Sequence, residues 1–165
     1  MANYVVDPAL LQPYLPYKTQ LENFHGKIYL SLVGLQFFNT KVLGRSIPWH
    51  QNFEEVNLRF YVQPATGNLE ETGVVFIKEI VRKPAITFIA NKLYREKYST
   101  MPMAHELKTV DEIALNYTWK FKNKWNKMQV TAQTETEAMQ PGSEEDFIAN
   151  HYYGYSKYNE HTTFQ

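Results

Sequence analysis

With 165 residues, 17 basic and 17 acidic side chains, the chain has zero formal charge, which excludes a whole-molecule field that would draw it to nucleic acid or an anionic membrane. Its 44% hydrophobic and 15% aromatic content, against 21% charged, excludes a disordered segment and favours a strand-rich single domain over residues 1–165. The absence of cysteine excludes a disulfide framework, a thiolate nucleophile and a sulfur-based zinc site. It also suits a reducing compartment, and the start of the chain lacks the basic and apolar regions of a secretion signal. A cytoplasmic protein without a membrane span is expected.

In chain order, Asp7 and Pro8 predict a short helix, with the carboxylate as cap and the proline in the first turn, ended by Pro13 and Pro16. From Lys18 two strands are expected around a His25–Gly26 turn. The second runs from Ile28 to Phe38, too apolar on both faces for an exposed edge, with a bend or bulge at Gly34. Residues 52 to 63 alternate most cleanly: Val56, Leu58, Phe60 and Val62 lie on one face and Glu55, Asn57, Arg59 and Tyr61 on the other. Thr72 to Val81 predicts the next strand. Lys83 and Pro84 then start a helix with Ile86, Ile89, Ala90, Leu93 and Tyr94 on its apolar stripe and Lys92 and Arg95 off it. Residues 104 to 121 and 126 to 139 predict a long hairpin turning at 123 to 126. Ser143 caps a short acidic helix through Asn150, with Asp146 in a capping-box position, and Tyr152 to Tyr158 with Thr162 to Gln165 predict a closing hairpin.

Four stretches in combination carry a family resemblance. They are the opening Val6-Asp7-Pro8-x-x-Leu11-x-Pro13-x-Leu15-Pro16, the strand Asn57-Leu58-Arg59-Phe60-Tyr61-Val62, the unit Gly73 to Met103, and Ser143-Glu144-Glu145-x-Phe147-Ile148-x-x-His151-Tyr152-Tyr153-Gly154-Tyr155. Together they resemble the YqjF-like proteins, a family without an assigned reaction in the acetoacetate decarboxylase-like superfamily. The resemblance implies a mainly β (α+β) fold, an antiparallel β-barrel or cone with a few short peripheral helices and an internal cavity. It also implies a chain short of the family's last strand.

The decarboxylase that names the superfamily uses a lysine Schiff base, in which a buried amine of depressed pKa attacks a ketone and the iminium accepts electrons as carbon dioxide leaves. The resemblance sets Lys97, Tyr98 and Ser99 against its Pro-Lys-Lys motif, so both lysine positions are lost. Lys97 lies one position early, and on a strand that slip turns a side chain to the opposite face. The parent reaction is therefore not expected.

Candidate ligand-binding residues are Glu55, Asn57, Arg59 and Tyr61 as a cavity-facing row, with Arg59 as a bidentate carboxylate anchor; the bland reading of that row is a solvated outer face. Lys78 and Glu79 are neighbours on a strand, so at most one enters the core. If Glu79 is buried it needs a partner such as Arg59 or Arg82, and would be a general base or a structural counter-ion. Tyr98 either brings its hydroxyl to the former lysine position or packs as core. Met101, Met103 and His105 share one face of an extended segment, and Met103 and His105 join Tyr98 as candidate ligand-binding residues, although a histidine on an apolar face is more often a satisfied one than a catalytic one. The five histidines have no metal-ligand spacing, and neither a phosphate loop nor a nucleophile elbow is present, so no metal and no cofactor are expected. Lys120, Lys122, Lys124 and Lys127 around Trp119, Phe121 and Trp125 form the basic and aromatic mixture that binds single strands, but a solvated hairpin tip explains it as well, and nucleic acid is not the expected partner.

The leading functional expectation is a small-molecule binding domain taking an apolar or keto-acid-like carboxylate ligand. The first alternative is an enzyme acting on a carbonyl compound through Lys97, Glu79 or Tyr98. The second is an interaction module whose tyrosine-rich surface meets a partner or a second copy of the chain in a homo-oligomer.

Overall fold

The computed structural model describes residues 1–42, 44–46, 50–94, 96–109 and 112–164. Its strands are β1 (Ala2–Val5), β2 (Thr19–Leu21), β3 (Tyr29–Phe37), β4 (Lys41–Val42), β5 (Arg45–Ser46), β6 (Phe53–Pro64), β7 (Gly73–Val81), β8 (Tyr98–Thr100), β9 (Met103–Thr109), β10 (Ile113–Phe121), β11 (Lys124–Ala132), β12 (Tyr153–Gly154), β13 (Ser156–Asn159) and β14 (Thr162–Phe164). Two short helices, α1 (Pro84–Ile89) and α2 (Glu144–Ala149), and a π-helical turn Ala90–Tyr94 complete the regular structure beside three single 3-10 turns. No helix among the described residues is long and apolar enough to cross a membrane.

A seven-stranded sheet has the order β1-β3-β6-β7-β12, with β2 on β6 and β8 on β7; β9, β10 and β11 form a separate meander. The mainly β class is as expected, but the described residues close no barrel, since the sheet ends at β1 and β12. Nor is it wholly antiparallel: β8 and β12 both run parallel to β7. A parallel pair needs a crossover connection, and α1 with its π-helical turn supplies the one between β7 and β8.

Most local expectations hold at their signals. Asp7 accepts a bond from the Ala9 amide, although the segment forms two 3-10 turns, Pro8–Leu10 and Gln12–Tyr14, because Pro13 prevents a continuous helix. His25 and Gly26 have φ of 50° and 84° in a tight turn, yet only Phe24 and Lys27 bridge across it, and β2 pairs with β6 rather than β3. The expected arm 104–121 is two strands, β9 and β10, which pair with each other; Val110 and Asp111 between them lie outside the described residues. The hairpin turns on Lys122 and Asn123, both at positive φ, and its second strand ends at Ala132. Beyond that point the polar run has no apolar face to bury. Arg95 and Gln165, and the side chains of Leu93 and Tyr94, also lie outside the described set.

The residues fall into two compact units, and the division cuts within β3, β6 and β7. One unit takes residue 1, 33–57 and 78–136, and the other 2–32, 58–77 and 137–165. In the first, Phe53, Val81 and Ile86 form a buried cluster with Phe37 and Tyr98 packed on it. There Gly34 does not mark a bulge for its own sake: a Cβ on it would stand 2.5 Å from the Tyr117 ring and 2.7 Å from the Met128 methyl, so the glycine lets two buried side chains lie on the strand. In the second unit, Leu11, Ile28, Phe60, Val62, Val75 and Tyr155 form one cluster, while Tyr29, Tyr61, Val74 and Ile148 form another. Ser143 caps α2 by accepting from the Asp146 amide at 3.2 Å, and the Tyr29 hydroxyl donates to Glu144 at 2.5 Å.

Candidate functional site

The polar row on β6 is not a solvated face. Glu55 and Asn57 in the first unit and Tyr61 in the second are all buried, as are Val56, Phe60 and Val62 on the other side of the strand. Within the first unit, Asn57 Nδ2 donates to Glu55 Oε1 at 2.8 Å, the contact of residues two apart on one strand face. The Tyr98 hydroxyl donates to Glu55 Oε2 at 2.6 Å. Glu79 sits opposite Tyr98 in the β7–β8 register and is 3% exposed, with Oε2 lacking a hydrogen-bond partner. Asn57 Oδ1 is likewise buried and unpartnered.

Tyr98 is held in place by the turn before it. Asn91, in the π-helical turn, accepts from the Tyr98 amide at 2.8 Å and donates to its carbonyl at 3.0 Å, a two-point clamp on one residue's backbone. Thr87 on α1 and Thr100 on β8 add a hydroxyl–hydroxyl bond at 2.7 Å. In the extended segment that leads into β8, Glu96 and Tyr98 are partly buried, and Lys97 between them is exposed.

Electrostatics couple these acids. Burial, then the Glu96 and Glu55 charges, raise the Glu79 carboxyl to about 8, against smaller lowering effects of the Lys97 amide and the Tyr98 hydroxyl. Burial and the Glu55 charge also raise Glu96. Burial, followed by the Glu55 and Glu79 charges, pushes the Tyr98 phenol far above the tyrosine range, so it remains a proton donor. Sequence logic required a cationic partner for a buried Glu79, with Arg59 or Arg82 as candidates. Among the described residues Glu79 makes no ion pair, and protonation takes the place of a partner.

Beside this group lies a pocket of about 260 Å³, walled by Phe37, Phe53, Ile86, Ile89 and Ala90 and given polarity by Glu96 and Tyr98, with exposed Lys41 and Thr40 also lining it. The volume falls just under the ~300–1,000 Å³ usual for ligand sites and limits an occupant to a small molecule. Phe37 and Phe53 stack at 4.9 Å in its wall.

The remaining candidates do not line this pocket. Arg59 is partly exposed in the second unit, its guanidinium 5.8 Å from the Tyr61 ring and its Nε buried without a partner. The Tyr61 hydroxyl and Ser31 Oγ are 2.7 Å apart, and Ser31 donates to Asn3. Met103 is buried at the start of β9, whereas His105 stays half exposed, its Nδ1 3.9 Å from Glu54. Lys97 is exposed. Among the described residues no group of three or more His, Asp or Glu side chains is placed to hold a metal ion. Sequence reasoning missed Glu96, which period-two spacing from Tyr98 could have found, and the buried His151, whose Nε2 is 2.7 Å from Glu22.

A model of a family described as uncharacterized conserved proteins, DUF2071, matches residues 1–165. The chain belongs to that family. The family resemblance read from the four stretches is upheld, and this DUF2071 chain is similar in fold to the crystal structure of acetoacetate decarboxylase from Legionella pneumophila subsp. pneumophila, at a TM-score of 0.57 and 14% identity over 89% of this chain. It spans 50% of that protein's length. At that identity the likeness is one of fold, and the decarboxylase activity stays with the other protein. No curated protein matches the DUF2071 sequence.

Proposed function

We propose that this DUF2071 chain binds a small, largely apolar molecule with one polar group in the pocket of its first unit. The observation that carries the reading is the lining itself: five apolar side chains with Glu96 and Tyr98 as the converging polar contacts. Of the two ligand types expected, the apolar one is better supported. A keto-acid carboxylate set against Glu96 would meet like charge, its available counter-ion being Lys41 at the exposed end, and Arg59 does not line the pocket. The test is a calorimetric titration of chain refolded free of small molecules with hexylamine, methyl butyl ketone and pentanoate, which have equal numbers of non-hydrogen atoms. Saturable binding of at least one is expected, and Ala90→Leu, which fills the pocket, should abolish it. Binding by none, or equal binding by the variant, would sink the reading.

A second reading, an enzyme acting on a carbonyl compound, is favoured by the acid pair at the pocket. Glu96 would accept a proton α to the carbonyl while the Tyr98 hydroxyl, exchanging its bond to Glu55 for one to the ligand, donates to the carbonyl oxygen. Exposed Lys97 gives the Schiff-base version less support. Deuterium uptake into methyl butyl ketone in heavy water, followed by proton NMR, checks it; exchange no faster than in buffer would remove it.

A further inference from the structure

We propose that the tip of the β10–β11 hairpin is a docking surface for a bilayer that carries anionic phospholipid. The hairpin is anchored at its middle and free at its end. Tyr117 and Met128, opposite each other in the register, are buried and close over Gly34, whereas every residue from Phe121 to Trp125 is exposed. Lys122 and Asn123 take φ of 45° and 64°, the two left-handed positions of a two-residue hairpin turn, and Asn126 Nδ2 donates to the Lys124 carbonyl at 3.2 Å. The tip is thus held in one shape before any partner arrives. The register sets Lys120 opposite Trp125 and Phe121 opposite Lys124, so the two exposed rings of the tip lie on opposite faces, each beside a lysine across the strand pair.

Charge and shape select the partner. From Ile113 to Ala132 the sequence has four lysines, Lys120, Lys122, Lys124 and Lys127, and no acid. None of the four is ion-paired among the described residues. The acid on the neighbouring strand β9, Glu106, stands opposite Asn116, about 14 Å along the sheet from Lys120 and beyond the screening length of physiological salt. It is also bridged to Lys108 at 3.1 Å. The lysines therefore keep a local positive field on a chain of zero net charge. Anionic headgroups complement that field, and indole and phenyl rings settle at the headgroup level of a bilayer. Trp125 is 62% and Phe121 45% exposed, so both rings are free to enter it. A single nucleic-acid strand fits less well. Stacked bases need rings along one face, and this stretch has no arginine to fork onto phosphate. A tip with a ring and a cation on each face is instead a wedge, which suits entry between headgroups.

The test is sedimentation of the chain with vesicles of phosphatidylcholine alone and of an equimolar mixture with phosphatidylserine, brominated lipid serving as a quencher of tryptophan fluorescence. Expected are binding to the mixed vesicles only, weakening as salt rises, and quenching that Trp125→Phe loses. Lys122→Ser together with Lys124→Ser should lower the partition coefficient by about tenfold or more, and Trp125→Ala should lower it as well. No binding to the mixed vesicles would overturn the proposal, as would equal binding to phosphatidylcholine alone or undiminished binding by the double variant. Oligothymidylate bound in place of vesicles would overturn it in favour of nucleic acid. Should a variant fail to fold, the wild-type salt series decides: binding that is flat with salt contradicts the proposal. The tip residues do not line the pocket, so none of these results bears on the small-molecule reading.

Discussion

At the residue scale, Glu79 is a buried acid that makes no ion pair among the described residues. Its carboxyl is raised to about 8 in the folded chain from the ordinary 4.5, so the folded state holds a proton that the unfolded state has released. Below the unfolded value both states are protonated and Glu79 has no effect on the balance. Above it, stability falls with pH until the folded carboxyl also ionises, near 8, and then levels off. Glu79→Gln should therefore match the wild type near pH 5 and be more stable near pH 8.5, as read from urea denaturation at both values. An equal difference at both would show that Glu79 is ionised in the folded chain. The burial of Glu79 was half legible from its apolar neighbours. Its neutral state was not, because it depends on Glu55 and Glu96, which are distant or unremarked in sequence.

At the element scale, the π-helical turn and β8 act as one positioning device. Asn91 holds Tyr98 at two backbone atoms, Tyr98 then bonds Glu55, and Lys97 just before the strand stays exposed. Asn91→Ala should lower stability by about 1–2 kcal/mol through two lost bonds and weaken ligand binding without touching the pocket wall. Unchanged affinity would show that Tyr98 is placed by packing alone. Gly34→Ala should cost about 1–3 kcal/mol, because the buried Tyr117 ring has nowhere to move. A neutral effect in thermal unfolding would show that the ring can shift.

The same scale shows what a linear reading gains and loses. The period-two row of β6 and the proline-started helix were legible because each signal is local. The partner of β2, the parallel pairing of β8 and the split of the arm 104–121 were not, because each depends on which distant strand offers a free edge. Gly34 was visible as an interruption, but its cause lies on β10 and β11.

At the scale of the whole molecule, 17 basic and 17 acidic side chains cancel, so any electrostatic selection must be local. The described residues carry such a local charge in the first unit, where a pocket of about 260 Å³ is lined by Glu96 and Tyr98. The measurement that tests this assignment most directly is methyl NMR of the isoleucine-labelled chain titrated with hexylamine and with methyl butyl ketone. Ile86 and Ile89, which line the pocket, should shift and saturate, while Ile28 and Ile148, buried in clusters of the second unit, stay still. Shifts confined to Ile28 or Ile148, or none at any isoleucine, would contradict a binding site in the first unit.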